Sequence, residues 1–105
     1  MNPGREHGQS GSRLFIDFET FSTLDLKRVG THEYADPQQT DAWCMGFAWD
    51  SGDVALWKGG EPLYFGVEEH VEAGGEVWAH NVAFEFAIWN RVMVPRYGWP
   101  ALRIE

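Results

Sequence analysis

The segment Leu14–Glu19, LFIDFE, decides both the fold and the candidate site. Its bulky apolar residues predict a β-strand. Because alternate residues of a strand share a face, Ile16 and Phe18 lie on one side, whereas Asp17 and Glu19 lie on the other. We therefore predict a strand with one face in the core and one face that carries two carboxylates.

The two carboxylates of this strand repel one another. At the roughly 7 Å between alternate residues, the repulsion is about 2 kcal/mol for an effective dielectric of about 20. A hard divalent cation turns this repulsion into attraction, because carboxylate oxygens are its preferred ligands. Asp17 and Glu19 are therefore candidate metal ligands, and the wet face of an ordinary strand end is the alternative.

A third acidic residue stands out in the helix predicted for Val82–Met93, which we expect Pro95 to end. Glu85 falls within the apolar arc of this helix, although glutamate is rarely buried without a partner. Its place in the first turn is favoured by the helix dipole. We interpret Glu85 as a third ligand directed at the strand with Asp17 and Glu19. A position at the rim, with the carboxylate in water, is the alternative.

Residues His80 and Asn81 precede this helix. Asn81 is suited to cap the helix N-terminus. His80 is a weaker candidate ligand, because carboxylate sites for phosphate substrates prefer oxygen. Cys44, on a predicted strand, is interpreted as a core residue. We expect the tryptophans to serve the core or a docking surface rather than to stack on bases.

The remaining pattern predicts a mixed α/β fold. Residues Met1–Ser12 read as a flexible, polar tail, and residues 13–105 as one domain. After the first strand, the chain predicts a hairpin, a helix, a short strand and the helix with Glu85. These intermediate elements are expected at Trp43–Trp49 with Val54–Trp57, at Pro62–Ala73 and at Glu76–Ala79, and Leu102–Ile104 is a candidate further strand. Helices that connect strands cover sheet faces, so a layered fold is favoured over a barrel.

Length and composition restrict the class of protein. The chain has 105 residues, of which 44% are hydrophobic and 23% are charged, as in a globular domain. It has neither a signal-peptide pattern nor the roughly 20 apolar residues of a membrane helix. Its one cysteine excludes a disulfide framework and favours a reducing cytoplasm.

The net charge of −8 argues against a protein that holds nucleic acid on a basic surface. It also disfavours an acidic single-strand-binding module that relies on tryptophan stacking. It does not exclude an enzyme that meets phosphates through bound divalent metal ions.

Two motifs together resemble those of the DEDD (DnaQ-like) 3′–5′ exonucleases. Leu14–Thr20, LFIDFET, resembles the first exonuclease motif, and Ala79–Glu85, AHNVAFE, resembles the second. The chain looks most like the exonuclease region of phage family A DNA polymerases, with which it shares DFETFS, DLKRVG and YA within Asp17–Ala35. It also shares the AHNxxFExxIW pattern over Ala79–Trp89. The likeness covers about Leu14–Glu105.

The resemblance implies an RNase H-like fold and a two-metal site, with Mg²⁺ or Mn²⁺, that hydrolyses phosphodiester bonds. One ion would generate hydroxide and the other would stabilise the leaving 3′ oxygen. By position, Asp17, Glu19 and Glu85 would be the catalytic, metal-binding acids, with Glu85 where many members have Asp. Asn81 and Phe84 would support the helix that directs Glu85, and His80 lies beside them.

The resemblance also implies partners and a departure from the family pattern. The partners would be the 3′ end of single-stranded DNA and the remainder of an exonuclease or polymerase polypeptide, in the bacterial host cytoplasm if the chain is phage-encoded.

The third motif, a Tyr or His four residues before an Asp, has no counterpart after Glu85. We therefore expect an exonuclease domain that is incomplete at its C-terminus and inactive alone. A non-catalytic RNase H-like module that docks on a partner protein through an aromatic surface is the alternative.

Overall fold

A four-stranded mixed sheet organises the fold in the computed structural model, which describes residues 12–50 and 52–103. The strands lie in the order β3-β2-β1-β4. β2 is antiparallel to both β1 and β3, whereas β4 is parallel to β1. Their bounds are β1 Arg13–Ser22, β2 Thr40–Trp49, β3 Ala55–Lys58 and β4 Glu76–Trp78. The α/β class and the β2–β3 hairpin predicted from the sequence are confirmed.

The helical segments are α1 Leu26–Tyr34, α2 Phe65–Glu72, α3 Val82–Ala87, a π-helical segment Ile88–Met93 and α4 Val94–Tyr97. α1 lies within residues 20–40, whose sequence has no regular hydrophobic period. It is interrupted at Gly30, where φ is 82°. That conformation is readily open to glycine alone. The prediction that Pro62 begins α2 is wrong. Tyr64 is still extended, with ψ 130°, and packs its ring on Phe47.

The helix predicted to end before Pro95 continues past it. α3, the π-helical segment and α4 follow one another directly to Tyr97, and Gly98 donates its backbone N–H to Val94 O. Proline within a regular α-helix clashes with the carbonyl four residues earlier. Here the residue before α4 belongs to a π-helical turn, whose hydrogen bonds span five residues instead of four. This wider turn accommodates Pro95, so the predicted helix end was wrong.

One face of the sheet packs against the helices to form the core. Ile16 and Phe18 of β1 are buried there, as the alternation predicted. The ring of Phe18 lies 6.3 Å from that of Trp89 and 6.1 Å from that of Trp99. The helical part of the core consists of Tyr34, Val67, Val71, Ile88, Trp89, Val92 and Met93. Several of the aromatic residues are thus core residues.

The other face of the sheet carries no helix within the described part of the chain. α1 contacts the core side, where the Tyr34 hydroxyl lies 3.0 Å from that of Thr20. Cys44 was predicted to be a core residue, but it alternates with the buried Met45 and is only partly buried. The exposed residues of this face are Arg13, Asp17, Glu19, Phe21, Trp43, Leu56, Lys58, Glu76 and Trp78, and we call it the open sheet face.

Some predictions fall at the ends of the chain. Residues 1–11 lie outside the described residues, so the tail remains a prediction. Leu102 and Arg103 are not part of a strand, and Ile104 lies outside the described residues. None of the helices formed by residues 12–50 and 52–103 has the length and apolar character needed to cross a membrane.

Candidate functional site

Glu85 reaches from the first turn of α3 to the middle of β1. Its Oε1 accepts a hydrogen bond from the backbone N–H of Phe18 at 3.0 Å, and only 5% of the residue is exposed. The parallel pairing of β4 with β1 ends where Phe15 meets Trp78. Past that point, no strand from the described residues lies beside β1 on the β4 side. The Glu85 carboxyl occupies that position and satisfies the Phe18 amide.

Asp17 and Glu19 flank Phe18 on β1, and both side chains are exposed. Asp17 and Glu19 lie close enough for their negative charges to raise the pKa of Glu85. The fold therefore brings Glu85 to the strand that carries Asp17 and Glu19, as predicted from the sequence.

The pKa of Glu85 is raised from 4.5 to about 7. Burial is the largest cause, because it disfavours the charged form. The Phe18 amide opposes it by stabilising the carboxylate, while the negative charges of Asp17 and Glu19 raise the pKa. The Glu85 carboxyl is therefore partly protonated near neutral pH. A cation beside these acids would act in the opposite sense and favour the charged forms.

The chemistry of this donor set suits a hard divalent cation, since all three side chains offer carboxylate oxygens. The arrangement itself is not that of a formed metal site. Within residues 12–50 and 52–103, no group of three or more His, Cys, Asp and Glu side chains is placed to hold a metal ion. The Glu85 carboxyl is partly protonated near neutral pH because its pKa is raised, whereas a ligand to a divalent cation is ionised. Metal binding here therefore requires the loss of that proton.

The predicted supporting residues hold α3 in position. Asn81 caps the helix, as the sequence predicted, because its Oδ1 accepts from the backbone N–H of Phe84 at 3.3 Å. The Phe84 ring packs on that of Tyr34, with centroids 6.0 Å apart, and Tyr34 in turn bonds to Thr20 of β1. His80 is exposed in the bend between β4 and α3.

Two contributors to the site were not predicted from the sequence. The backbone amide of Phe18 has no sequence signal of its own, because every residue except proline carries the same group. An indirect signal is the shortness of β4, which lies between Gly75 and the helix cap Asn81. The contact of Tyr34 with Phe84 joins residues far apart in the chain and leaves no local pattern.

Comparison with known proteins adds no relative to this geometry. No protein-family profile, curated protein or solved structure matches the chain. The fold and site define an α/β protein with a cluster of carboxyl groups beside the central strand. Its function is therefore inferred from that cluster and from the two sequence motifs.

Proposed function

We propose that the chain is the N-terminal portion of a divalent-metal-dependent 3′–5′ exonuclease with an RNase H-like fold. Asp17, Glu19 and Glu85 are its metal-binding acids, and the 3′ end of single-stranded DNA is its substrate. The buried Glu85 carboxyl, which lies on the Phe18 amide and near the charges of Asp17 and Glu19, carries this proposal. A buried carboxyl beside two like charges destabilises the fold at neutral pH, so a cation that binds there supplies a reason for the arrangement.

The residues of this chain have separable tasks in such a reaction. When bound, the divalent cations activate water and stabilise the leaving oxygen. The Phe18 amide fixes the direction of the Glu85 carboxyl. Glu85, whose pKa is raised, would lose its proton to solvent in order to act as a ligand. Asn81 fixes the helix that presents Glu85.

A purely structural role for Glu85 is the competing interpretation of the site. In that role Glu85 only satisfies the Phe18 amide, which requires an acceptor oxygen but no charge. Glutamine at position 85 provides such an oxygen, so Glu85→Gln separates the two roles. If Glu85 is only structural, the substitution leaves metal affinity unchanged.

Calorimetric titration with Mn²⁺ near neutral pH tests the proposal. We expect weak binding with release of a proton, detected from the dependence of the binding heat on the ionisation enthalpy of the buffer. Asp17→Asn and Glu85→Gln should each weaken binding by about tenfold or more, the range found even for outer partners of metal ligands. Asp53→Asn, which changes an exposed carboxylate in the β2–β3 turn, is the matched control. Equal affinity in the wild type and Asp17→Asn would contradict the proposal.

A non-catalytic docking module is the second candidate function. The open sheet face favours it, because 63% of Trp43 and 55% of Leu56 are exposed there. Such a module has no need of Asp17 as a ligand. Its binding to a partner would be unaffected by chelators and by Asp17→Asn, in contrast to the exonuclease.

A further inference from the structure

Phe21 and Trp43 form an exposed aromatic pair on the open sheet face. Their ring centroids are 4.5 Å apart, and 44% of Phe21 and 63% of Trp43 are exposed. A β-bulge places Trp43 there, because the register of β1 with β2 shifts between Glu19 and Thr20 and leaves Trp43 as the extra residue. The bulge therefore directs a large aromatic ring towards solvent.

At the other end of β1, an arginine of the chain itself lies over two aromatic rings of the same face. The Arg13 guanidinium is 5.7 Å from the ring centroid of Phe15 and 5.4 Å from that of Trp78. Its Nε also forms an ion pair with Asp50 Oδ1 at 3.1 Å. A planar guanidinium is attracted to aromatic faces while its N–H groups bond to a carboxylate. Two rings and one carboxylate therefore suffice to hold an arginine on this face.

The aromatic pair of Phe21 and Trp43 offers the same combination of groups. Glu19 precedes Phe21 by two residues on the same face, about 7 Å along β1. It is exposed, and within the described part of the chain it takes part in no ion pair. Asp41 lies opposite Phe21 on β2, but it is already paired with Arg96. Glu19 is therefore the carboxylate beside this pair that an arginine from another molecule can reach.

We propose that the aromatic pair and Glu19 bind an arginine side chain of a partner protein. A shallow depression of about 590 Å³ beside the pair is lined in part by Leu56, which suits an apolar side chain of the same partner. The partner segment thus presents an arginine and an apolar residue on one face. This inference goes beyond the exonuclease proposal and requires no metal ion.

The charges of the molecule favour this occupant over the others. The net charge of −8 attracts a cationic segment, and the arginine neutralises Glu19. In a face-to-face pair of identical chains, Asp17 and Glu19 would approach their own copies. A wholly apolar partner would bury both carboxylates without a counter-charge. Lys58 lines the depression but lies two strands away from Glu19, about 10 Å across the sheet, so it leaves Glu19 to the partner.

An NMR titration of the isotope-labelled protein in EDTA tests the inference. The probe is the acetylated and amidated peptide Ser-Leu-Ser-Arg-Ser-Leu-Ser, whose arginine and leucines share one face when it is extended. Trp43→Ala and Glu19→Gln should each weaken binding by about two- to fivefold. Trp78→Ala is the control for the ring, because Trp78 is 46% exposed but lies beneath Arg13. Asp53→Asn removes an exposed charge outside the face and is the control for net charge.

The same peptide with lysine in place of arginine should bind more weakly, because an ammonium group does not stack as a plane. Trp43 and Glu19 are exposed, so circular dichroism should be unchanged in both variants. No binding by the wild type, or equal affinity of the wild type and either variant, would overturn the arginine site. Equal affinity for the lysine peptide would overturn it too.

Two further outcomes separate this inference from its alternatives. A wild-type dimer that Trp43→Ala makes monomeric would overturn it, because the aromatic pair would then be an interface between copies. Peptide binding in EDTA by a protein that binds no Mn²⁺ would support the arginine site and contradict the metal-dependent exonuclease. Mn²⁺ binding without peptide binding would contradict the arginine site alone.

Discussion

The carboxyl of Glu85 has one favourable and several unfavourable neighbours. The Phe18 amide donates to it, whereas burial and the charges of Asp17 and Glu19 oppose its ionisation. An ordinary structural glutamate gains nothing from two nearby acids. At neutral pH, the packing of the fold therefore keeps these three acids close together although their electrostatic interactions are unfavourable.

The stability of the protein should fall as the pH rises through about 7. The pKa of Glu85 is about 7 in the folded state against 4.5 as its ordinary value, so the folded state binds more protons between these values. The contribution of Glu85 is complete below the lower value and is lost as the pH passes the higher one. A shift of this size corresponds to about 3 kcal/mol. Urea unfolding at several pH values measures it.

Two substitutions test whether Glu85 causes this pH dependence. Glu85→Gln should remove it, because glutamine does not titrate. Glu72→Gln, at an exposed position of α2, should leave it as in the wild type. Mn²⁺ should stabilise the wild type more at high than at low pH, since the cation favours the ionised acids. A wild-type stability that does not change between about pH 5 and pH 8 would contradict the interpretation of Glu85.

Substitution of Phe18 tests the core side of β1. Its side chain is 5% exposed and contacts the rings of Trp89 and Trp99. Phe18→Ala should lower the free energy of unfolding by about 3–5 kcal/mol. Phe21→Ala, on the open sheet face of β1, should cost less than about 1 kcal/mol. Denaturant unfolding that gives similar losses for both would show that the two faces of β1 are not distinct.

At the scale of elements, His70 joins α2 to β2 and β4. It is fully buried; Trp49 Nε1 donates to its Nδ1 at 3.1 Å, and its Nε2 lies 2.8 Å from Glu76 O. The indole nitrogen can only donate, so Nδ1 must accept, and Nε2 therefore carries the proton given to the Glu76 carbonyl. This neutral imidazole fixes the start of β4 relative to α2. The position of β4 in turn determines which part of the β1 edge remains unpaired and accepts the Glu85 carboxyl.

Gly75→Ala should destabilise this junction. A Cβ at position 75 would lie 2.5 Å from Nε2 of His70, which its two hydrogen bonds hold in place. Such overpacking costs about 1–3 kcal/mol. At Gly59 an added Cβ finds its nearest neighbour at 3.6 Å, so Gly59→Ala is the tolerated control. Equal melting temperatures for the two variants would contradict the tight packing of His70 against Gly75.

At the scale of the whole molecule, the described helices lie on one side of the sheet. The other side exposes the rings of Phe21 and Trp43 together with Leu56. A sheet face in contact with water ordinarily carries polar side chains. The open sheet face is therefore the feature that most clearly calls for a partner.

This uncovered surface should bind a hydrophobic dye such as ANS. Trp43→Lys should reduce the dye fluorescence, because it places a charge at the centre of the apolar surface. The protein should nevertheless sediment as a monomer at low ionic strength, since its net charge of −8 opposes self-association. A dimer under those conditions, or a protein that does not enhance ANS fluorescence, would contradict this view of the open sheet face.

The local features of this protein follow from the sequence by itself. Strand periodicity placed Phe18 inside and Asp17 outside, and the amide of Asn81 marked the start of α3. The position of Glu85 in an apolar arc indicated a buried acid, and it is buried. These features depend on residues within one or two turns of each other, so the amino-acid pattern contains them.

The partners of those residues were decided only by the tertiary structure. Glu85 bonds to the Phe18 amide 67 positions away, and a backbone amide has no residue-specific signal. Trp43 faces solvent because the pairing of β1 with β2 shifts by one residue, which neither strand indicates alone. Pro95 lies within a helical run because a π-helical turn precedes it. Each outcome depends on how distant or successive elements fit together, and local propensity does not contain that information.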